Sequence, residues 1–527
     1  MSSRLTVRFY IIFGVMALMT TMIILRIFYL YQEEGDFLKA KGDYRTISVR
    51  DIPHIRGAIY DKNNYPLATS LIKYNLYGLK GLDTSNLDLS FNVLNQDAGF
   101  LRKKKILKED ISLAEIQEIK SKRNDYFEIE SFSKRIYPLG EQIATLIGFA
   151  GADNKGLEGL EKGFENHLKE EVGKKQIFKN RRQEIIKPPK ILNRGSDGNN
   201  LKLTIKHEIQ YSVHKSLSQG VIQAQAKGGS AVVLDNETGR ILAIASYPSY
   251  NPNDPNRLIQ RNRALLDSFE PGSVIKPIAL AIGIENNDID FNKSVETSPG
   301  YIELNSQVIA DPRNYGSLLP IDIIAKSSQV GAAKIALEID SHDLTNGYKR
   351  FGLAVPPNIN FPSIAYGKIN QRSNISDHEI ASLGFGYGLE ASAIQLAMAF
   401  SVFANDGVLK GFQLIEEKNH SNPSQVISKH TAELIMESLE QVIIDGTGTQ
   451  AKHHLHRVAG KTGTSHKVSN GKYDKSKYIS SFICIGPLET KKYTILVTID
   501  EPGLNRYSGG EVAAPVFKEI FDDLVSL

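Results

Sequence analysis

From Phe9 to Leu25 the chain carries an uncharged, predominantly apolar run, closed by Arg8 and Arg26. Ile27 to Tyr31 extend it once Arg26 turns its guanidinium toward the headgroups. That length predicts one membrane-spanning helix over residues 9–31. The next residues, Gln32, Glu33 and Glu34, offer no small-residue cleavage site, so a retained anchor is expected rather than a signal peptide. Arg4 and Arg8 precede the run and Glu33, Glu34 and Asp36 follow it, which favours a cytoplasmic tail over residues 1–8 and an external body. No second run of this kind follows.

Beyond the anchor the periodicity changes twice. Residues 32–200 mix short β-like runs with charged helical ones such as Glu109 to Lys122, and the Lys-, Arg-, Pro- and Asn-rich stretch Lys179 to Asn200 marks a boundary. From Leu201 the pattern becomes regular. Ser230 to Asp235, a turn at Asn236 to Gly239, and Arg240 to Ala245 read as a hairpin. Three later strands include Tyr478 to Ile485 and Tyr493 to Ile499, whose alternation suggests an antiparallel meander. Pro515, Val516, Phe517, Ile520, Phe521 and Leu524 form one stripe of a terminal helix. The expected class is α+β: a single membrane helix, an elongated mixed pedestal over 32–200, and a domain over 201–527 with a five-stranded antiparallel sheet flanked by helices.

Composition narrows the function classes. Lysine plus arginine number 63 against 59 acids, an excess of 4 that gives no reason to invoke nucleic acid. The single cysteine, Cys484, lies in an apolar strand and reads as a buried inert thiol. His453, His454 and His456 cluster without a Cys, Asp or Glu to complete a zinc set, so no metal is expected.

The chemistry concentrates in F-E-P-G-S-V-I-K-P, Phe269 to Pro277. Ser273 and Lys276 stand one turn apart at the start of a helix whose apolar residues are Val274, Ile275, Ile278, Ala279, Ala281 and Ile282. An S-x-x-K spacing alone decides nothing, since Ser70, Ser131, Ser212 and Ser469 share it. Ser273 is singled out by its helix start, where free backbone N–H groups favour developing negative charge, and by two partners. One is K-S-S-Q-V, Lys326 to Val330, opening an Ala-rich helical stretch through Ile339. The other is K-T-G-T, Lys461 to Thr464, where Lys461 and Gly463 share one strand face and the glycine permits close approach.

These motifs in this order are those of the penicillin-recognising serine enzymes. With R-G-A-I-Y-D (Arg56 to Asp61), G-L-E-G-L-E (Gly156 to Glu161), G-G-S-A-V-V-L-D (Gly228 to Asp235), F-G-Y-G-L (Phe385 to Leu389) and G-T-G-T (Gly446 to Thr449), the chain resembles the class B penicillin-binding proteins over nearly its whole length. One residue departs: the family's second motif is S-x-N, and Gln329 stands in place of the asparagine.

The resemblance implies a peptidoglycan D,D-transpeptidase in which Ser273 attacks stem peptides ending in D-Ala-D-Ala, Lys276 takes its proton, and Ser327, flanked by Lys276 and Lys461, relays the proton to the leaving D-alanine and later from the acceptor amine, with the terminal carboxylate beside Lys461. It implies substrate binding by Gln329, Thr462, Gly463 and Thr464, with the backbone N–H groups of Ser273 and Thr464 as oxyanion donors and no cofactor. β-Lactams would acylate Ser273. The wording around Ser273 and the short tail resemble the septal, penicillin-binding protein 3 type, implying an inner-membrane enzyme with a periplasmic catalytic domain beside a polytopic lipid II polymerase and other divisome proteins. Three readings on the same fold stay open: an elongation-specific transpeptidase, a β-lactam hydrolase or sensor, and a catalytically weak division scaffold. Glu390 has no role under the resemblance.

Overall fold

The computed structural model describes residues 2–527 except 86, 88, 94–98, 123–125, 181–184, 371, 373–374, 417–422, 470 and 504. Residues 181–184 fall within the boundary stretch expected at Lys179 to Asn200. The chain divides into two compact units, one of Met1–Ile55, Leu71–Lys134 and Glu170–Gly198, the other of Arg56–Ser70, Arg135–Lys169 and Asn199–Leu527.

The first unit starts with helix α1 (Ser2–Glu33), in which Thr6–Glu33 is long and apolar enough to cross a membrane. Helix α2 (Gly35–Thr46) follows directly and packs against a three-stranded antiparallel sheet of β1 (Ile47–Ile52), β2 (Gly173–Lys179) and β3 (Ile185–Asn193), in which β2 is central. Of the charged segment Glu109 to Lys122, helix α3 (Leu113–Ser121) forms, started by a reciprocal capping box between Ser112 and Glu115.

The second unit is built on one antiparallel sheet. After α4 (His207–Gln223) come β4 (Gly228–Asp235) and β5 (Arg240–Tyr247), joined by the expected turn. Then follow α5 (Lys276–Glu285), the hairpin β6 (Tyr301–Leu304) and β7 (Gln307–Ala310), α6 (Pro320–Lys326) and α7 (Gln329–Glu338). Further on lie α8 (Ala393–Ala404) and α9 (Lys429–Asp445), the meander β8 (Ala459–Ser469), β9 (Lys472–Gly486) and β10 (Tyr493–Asp500), and α10 (Ala514–Ser526). The spatial order is β5-β4-β10-β9-β8, so β8 is an edge strand.

The alternation expected of these strands is muted: β4 is buried at every position and β10 at all but the last. Helices cover both faces, so both sets of side chains must be apolar. Val232, Leu234, Ile483, Ile485 and Leu496 pack with α5, α7, α8 and α9 on one face. Ala231, Val233, Phe482, Cys484, Ile495 and Val497 pack with Val213 and Leu217 of α4 and Phe517 and Phe521 of α10 on the other.

A buried ionic cluster ties the early segments of this unit together. Glu161 accepts from Arg56 Nε at 2.6 Å and from Arg135 Nε at 2.8 Å, and the Arg56 fork also donates to the carbonyls of Asn154 and Glu161. The side chains of Arg56 and Glu161 are wholly buried, so their charges depend on the partners within the cluster, which include Glu165 at 2.7 Å from Arg56.

Candidate active site

Ser273 lies in a 3₁₀ turn, Gly272–Ile275, and α5 begins only at Lys276. Sequence reasoning placed the serine in the first turn of the α-helix; Pro277 at the second helical position fixes the later start. The tighter turn serves the same pairing, because at three residues per turn positions i and i+3 eclipse. The turn sits against β8. A Cβ on Gly272 would approach the Thr464 carbonyl oxygen to 2.8 Å, and one on Gly463 would approach the Val274 side chain to 2.5 Å. A Cβ on Gly386, within F-G-Y-G-L, would meet the Gly272 carbonyl oxygen at 2.1 Å. Glycine is required on all three sides of the serine.

Ser327 is the hub. Lys276 Nζ donates to its carbonyl at 2.5 Å and to its Oγ at 3.2 Å, and Lys461 Nζ donates to the same Oγ at 3.1 Å. Motifs 51 and 134 residues away in sequence thus meet on one hydroxyl. Ser327 has a left-handed backbone, φ 57°, between α6 and α7. Such a conformation costs a non-glycine residue of order 1 kcal/mol and marks places where neighbours over-determine the backbone. It is Ser328, not Ser327, that caps α7, accepting from the Gly331 N–H.

The neighbour that fixes this turn is Asp311, which sequence reasoning missed. It follows β7, and its carboxylate accepts from Ser328 Oγ at 2.6 Å, from the Gln329 N–H at 2.5 Å and from the Val330 N–H at 3.3 Å. No spacing or periodicity ties position 311 to 327–330; only the fold of the β6–β7 hairpin does.

Both lysines are almost completely buried. Burial lowers the Lys276 amine to a pKa of about 7, with the negative charge of Asp311 pulling the other way. Burial, reinforced by the Lys276 charge, holds Lys461 well below the ordinary lysine value. A lysine near neutrality is an amine that can accept a proton at physiological pH.

On β8, Lys461 Nζ also donates to the Thr462 carbonyl at 3.1 Å, and the Thr462 hydroxyl lies 2.6 Å from that of Thr447, a second residue that sequence reasoning left without a role. Thr447 belongs to G-T-G-T just after α9, and its N–H donates to the Ala325 carbonyl near the end of α6. Thr464 Oγ accepts from the Gly509 N–H at 3.1 Å. Gln329 opens α7 with its side chain exposed and lines a groove of about 460 Å³ with Phe385, Tyr387, His466 and Tyr473 among its walls. Lys276, Ser327 and Lys461 therefore meet in one hydrogen-bonded cluster, with the Ser273 turn packed against the strand that carries Lys461, Gly463 and Thr464. Glu390 does not join it: its carboxylate pairs with Ser268 and Lys368.

A nucleophile turn, a neutral-leaning amine and a hydroxyl bridging two lysines can carry out acyl transfer without metal. Known proteins agree with that chemistry. The penicillin binding protein transpeptidase domain matches residues 229–522, and the penicillin-binding protein dimerisation domain matches residues 51–203. The peptidoglycan D,D-transpeptidase FtsI of Buchnera aphidicola subsp. Schizaphis graminum is 33% identical over 538 residues, covering 97% of this chain and 94% of the relative. The transpeptidase domain of penicillin-binding protein 3 from Burkholderia pseudomallei is 34% identical with a TM-score of 0.57, over 62% of this chain and 95% of its own. Penicillin-binding protein 3 from Mycobacterium tuberculosis, solved with aztreonam, shares the fold with a TM-score of 0.70 at 24% identity, over 91% of this chain and 97% of its own. Matched across both domains and by full-length relatives, the chain belongs to the class B penicillin-binding proteins, of the penicillin-binding protein 3 type.

Proposed function

We propose that this protein cross-links peptidoglycan at the division septum through an acyl-enzyme on Ser273. Ser273 Oγ attacks the carbonyl between the two terminal D-alanines while the neutral Lys276 amine takes its proton. The C–N bond breaks, and the departing D-alanine amine receives a proton through Ser327 from Lys276. The amine of a second stem peptide then attacks the ester, returns its proton along the same path, and leaves Ser273 free. Developing negative charge on the carbonyl oxygen meets the backbone N–H groups of Ser273 and Thr464, a stabilisation worth a few kcal/mol.

The substrate's terminal carboxylate lies beside Lys461, held by Thr462 and Thr464 hydroxyls, and supplies the counter-charge that this buried amine lacks in the free enzyme. Gly463 lets the substrate backbone close on β8, and the Gln329 amide binds a substrate carbonyl. The single observation that carries this reading is the Ser327 hydroxyl bridged by both lysines. β-Lactams, which mimic the D-alanyl-D-alanine bond, acylate the same serine.

The working division is a cytoplasmic tail (1–8), a single inner-membrane span (9–31), a pedestal (32–200) and a periplasmic transpeptidase domain (201–527), with a polytopic lipid II polymerase and other divisome membrane proteins as partners. Fluorescent penicillin tests the chemistry: Ser273→Ala in the full chain loses covalent labelling while remaining folded and membrane-inserted. Labelling of that variant at the wild-type rate would move the nucleophile elsewhere. Depletion in cells tests the pathway, with filaments expected and rounded cells that still form septa assigning the protein to elongation.

A further inference from the structure

Glu270, in F-E-P-G-S just before the nucleophile, takes no part in the acyl-transfer steps, yet its carboxylate is committed. Oε1 accepts from the Gly388 N–H at 2.8 Å and from the Tyr473 hydroxyl at 3.1 Å. Oε2 is buried and has no hydrogen-bond partner among the described residues. Keeping one carboxylate oxygen dry and unbonded costs free energy that a solvated side chain at this position would not incur.

Both donors belong to one wall of the groove beside Gln329, the wall made by Tyr387, Gly388 and Tyr473. Gly388 lies in F-G-Y-G-L, a loop that a second bond, from the Gly272 N–H to the Gly386 carbonyl at 3.1 Å, already ties to the serine turn. Tyr473 lies on β9 beyond a break in its ladder with β8. The register jumps from His466↔Tyr478 to Lys467↔Asp474, passing over residues 475–477, and Val468↔Tyr473 follows. Such a break loosens the outer ladder from the sheet, so side-chain contacts must set its position. Lys467 anchors it by donating to Asp500 at 2.7 Å and Glu501 at 2.6 Å. On the groove side Tyr473 meets Tyr387 edge to face, 5.4 Å between ring centres, and gives its hydroxyl to Glu270.

With the reacting carbonyl at Ser273 and the Gln329 amide on a substrate carbonyl, the acyl portion of the ligand that precedes the reacting bond enters this groove. We propose that Glu270 is a positioning residue for ligand recognition: by holding the Gly388 N–H and the Tyr473 hydroxyl on one oxygen, it fixes the groove wall against which the acyl side chain packs. This rests on the reading of Ser273 as nucleophile and Gln329 as substrate contact. The role requires an acceptor oxygen and not a negative charge, so glutamine at the same position can fill it.

The test compares two ligands on the full chain, each in competition with a fluorescent penicillin. Benzylpenicillin carries a side chain that reaches the wall; 6-formamidopenicillanic acid keeps the amide and lacks the rest. Glu270→Ala and Tyr473→Phe should each slow acylation by benzylpenicillin about tenfold and leave the formamido compound within about twofold, as expected for losing a hydrogen bond to a charged group that serves only the side chain. The loss should appear in the half-saturating concentration and not in the limiting acylation rate. Glu270→Gln should restore the wild-type ratio of the two ligands. Equal losses for both ligands would place the effect in the serine turn and overturn the proposal. So would Glu270→Gln failing as badly as alanine, which would assign the role to charge, or no loss in either variant. Tyr473→Phe keeps the ring and leaves Glu270 in place, so its result stands even where Glu270→Ala disturbs the turn. Ser273→Ala reports separately on the nucleophile, because it removes labelling by every penicillin whatever the wall does.

Discussion

Acylation should fall as pH drops through the value of Lys276, and the structure says where. An ordinary lysine at 10.5 is roughly 0.03% neutral at pH 7, whereas one at about 7 is about half neutral, more than a thousandfold gain in competent base. The cause is burial of the amine among α5, Ser327 and Lys461, which disfavours the charged form. Stopped-flow acylation by a fluorescent penicillin, followed from about pH 5 to about pH 9, should show a plateau above neutrality and a tenfold loss per unit below it. Asp311 gives an internal check. Its charge raises the proton affinity of Lys276, so Asp311→Asn should displace the acid limb to lower pH as well as loosening the Ser327 turn. Lys276→Arg should abolish acylation at every pH, because a guanidinium cannot release its proton. A rate that is level from pH 5 to 7, or one that rises only above about pH 9, would show that Lys276 is not a neutral-leaning base, and the proton path through Ser327 would fall with it.

Gln329→Asn should keep acylation within about tenfold, since one methylene adjusts rather than removes an amide contact worth about 1 kcal/mol, and Gln329→Ala should do worse; equal rates for all three would place residue 329 outside substrate contact. Glu161→Gln should cost about 3–5 kcal/mol in urea unfolding, because it takes from the buried Arg135 its carboxylate and leaves the buried Arg56 with Glu165 alone, and a loss under about 1 kcal/mol would mean the cluster is solvated in some other way. His214 is buried, with burial lowering its pKa to about 4 from 6.5. The unfolded chain therefore binds a proton that the folded one refuses, so stability is full above pH 6.5 and declines by up to about 3 kcal/mol as pH falls toward 4. His214→Phe should flatten that stretch of the urea-midpoint profile, and an unchanged slope would assign it to other groups.

What the sequence made legible follows from range. The span, the β4–β5 hairpin, the late meander and the terminal stripe are local patterns, and the secondary structure follows them closely. Ser273, Lys276, Ser327 and Lys461 were recognisable through motif order, and the fold joins the last three within hydrogen-bond reach. Asp311 and Thr447 escaped because their role lies wholly in partners reached through tertiary structure, with no periodicity to announce it. The start of the nucleophile helix was read one turn early, since a 3₁₀ turn and an α-turn leave the same apolar spacing. The alternation expected in the strands failed where helices bury both faces. The interleaving of segments 56–70 and 135–169 with residues 199–527 has no local signature either, because a compact unit is defined by contacts and not by chain order.

The three glycines around the serine turn set which inherited changes the site can absorb. Any side chain at Gly272 or Gly386 drives a carbon into a carbonyl oxygen, and one at Gly463 into Val274. Neither main-chain neighbour can yield without moving the nucleophile. Change is thereby channelled outward along the groove, to positions such as Gln329 and Tyr473 that stand exposed on its walls. A lineage of this enzyme under pressure from an inhibitor should accordingly diversify the groove walls while the glycine frame around Ser273 stays fixed.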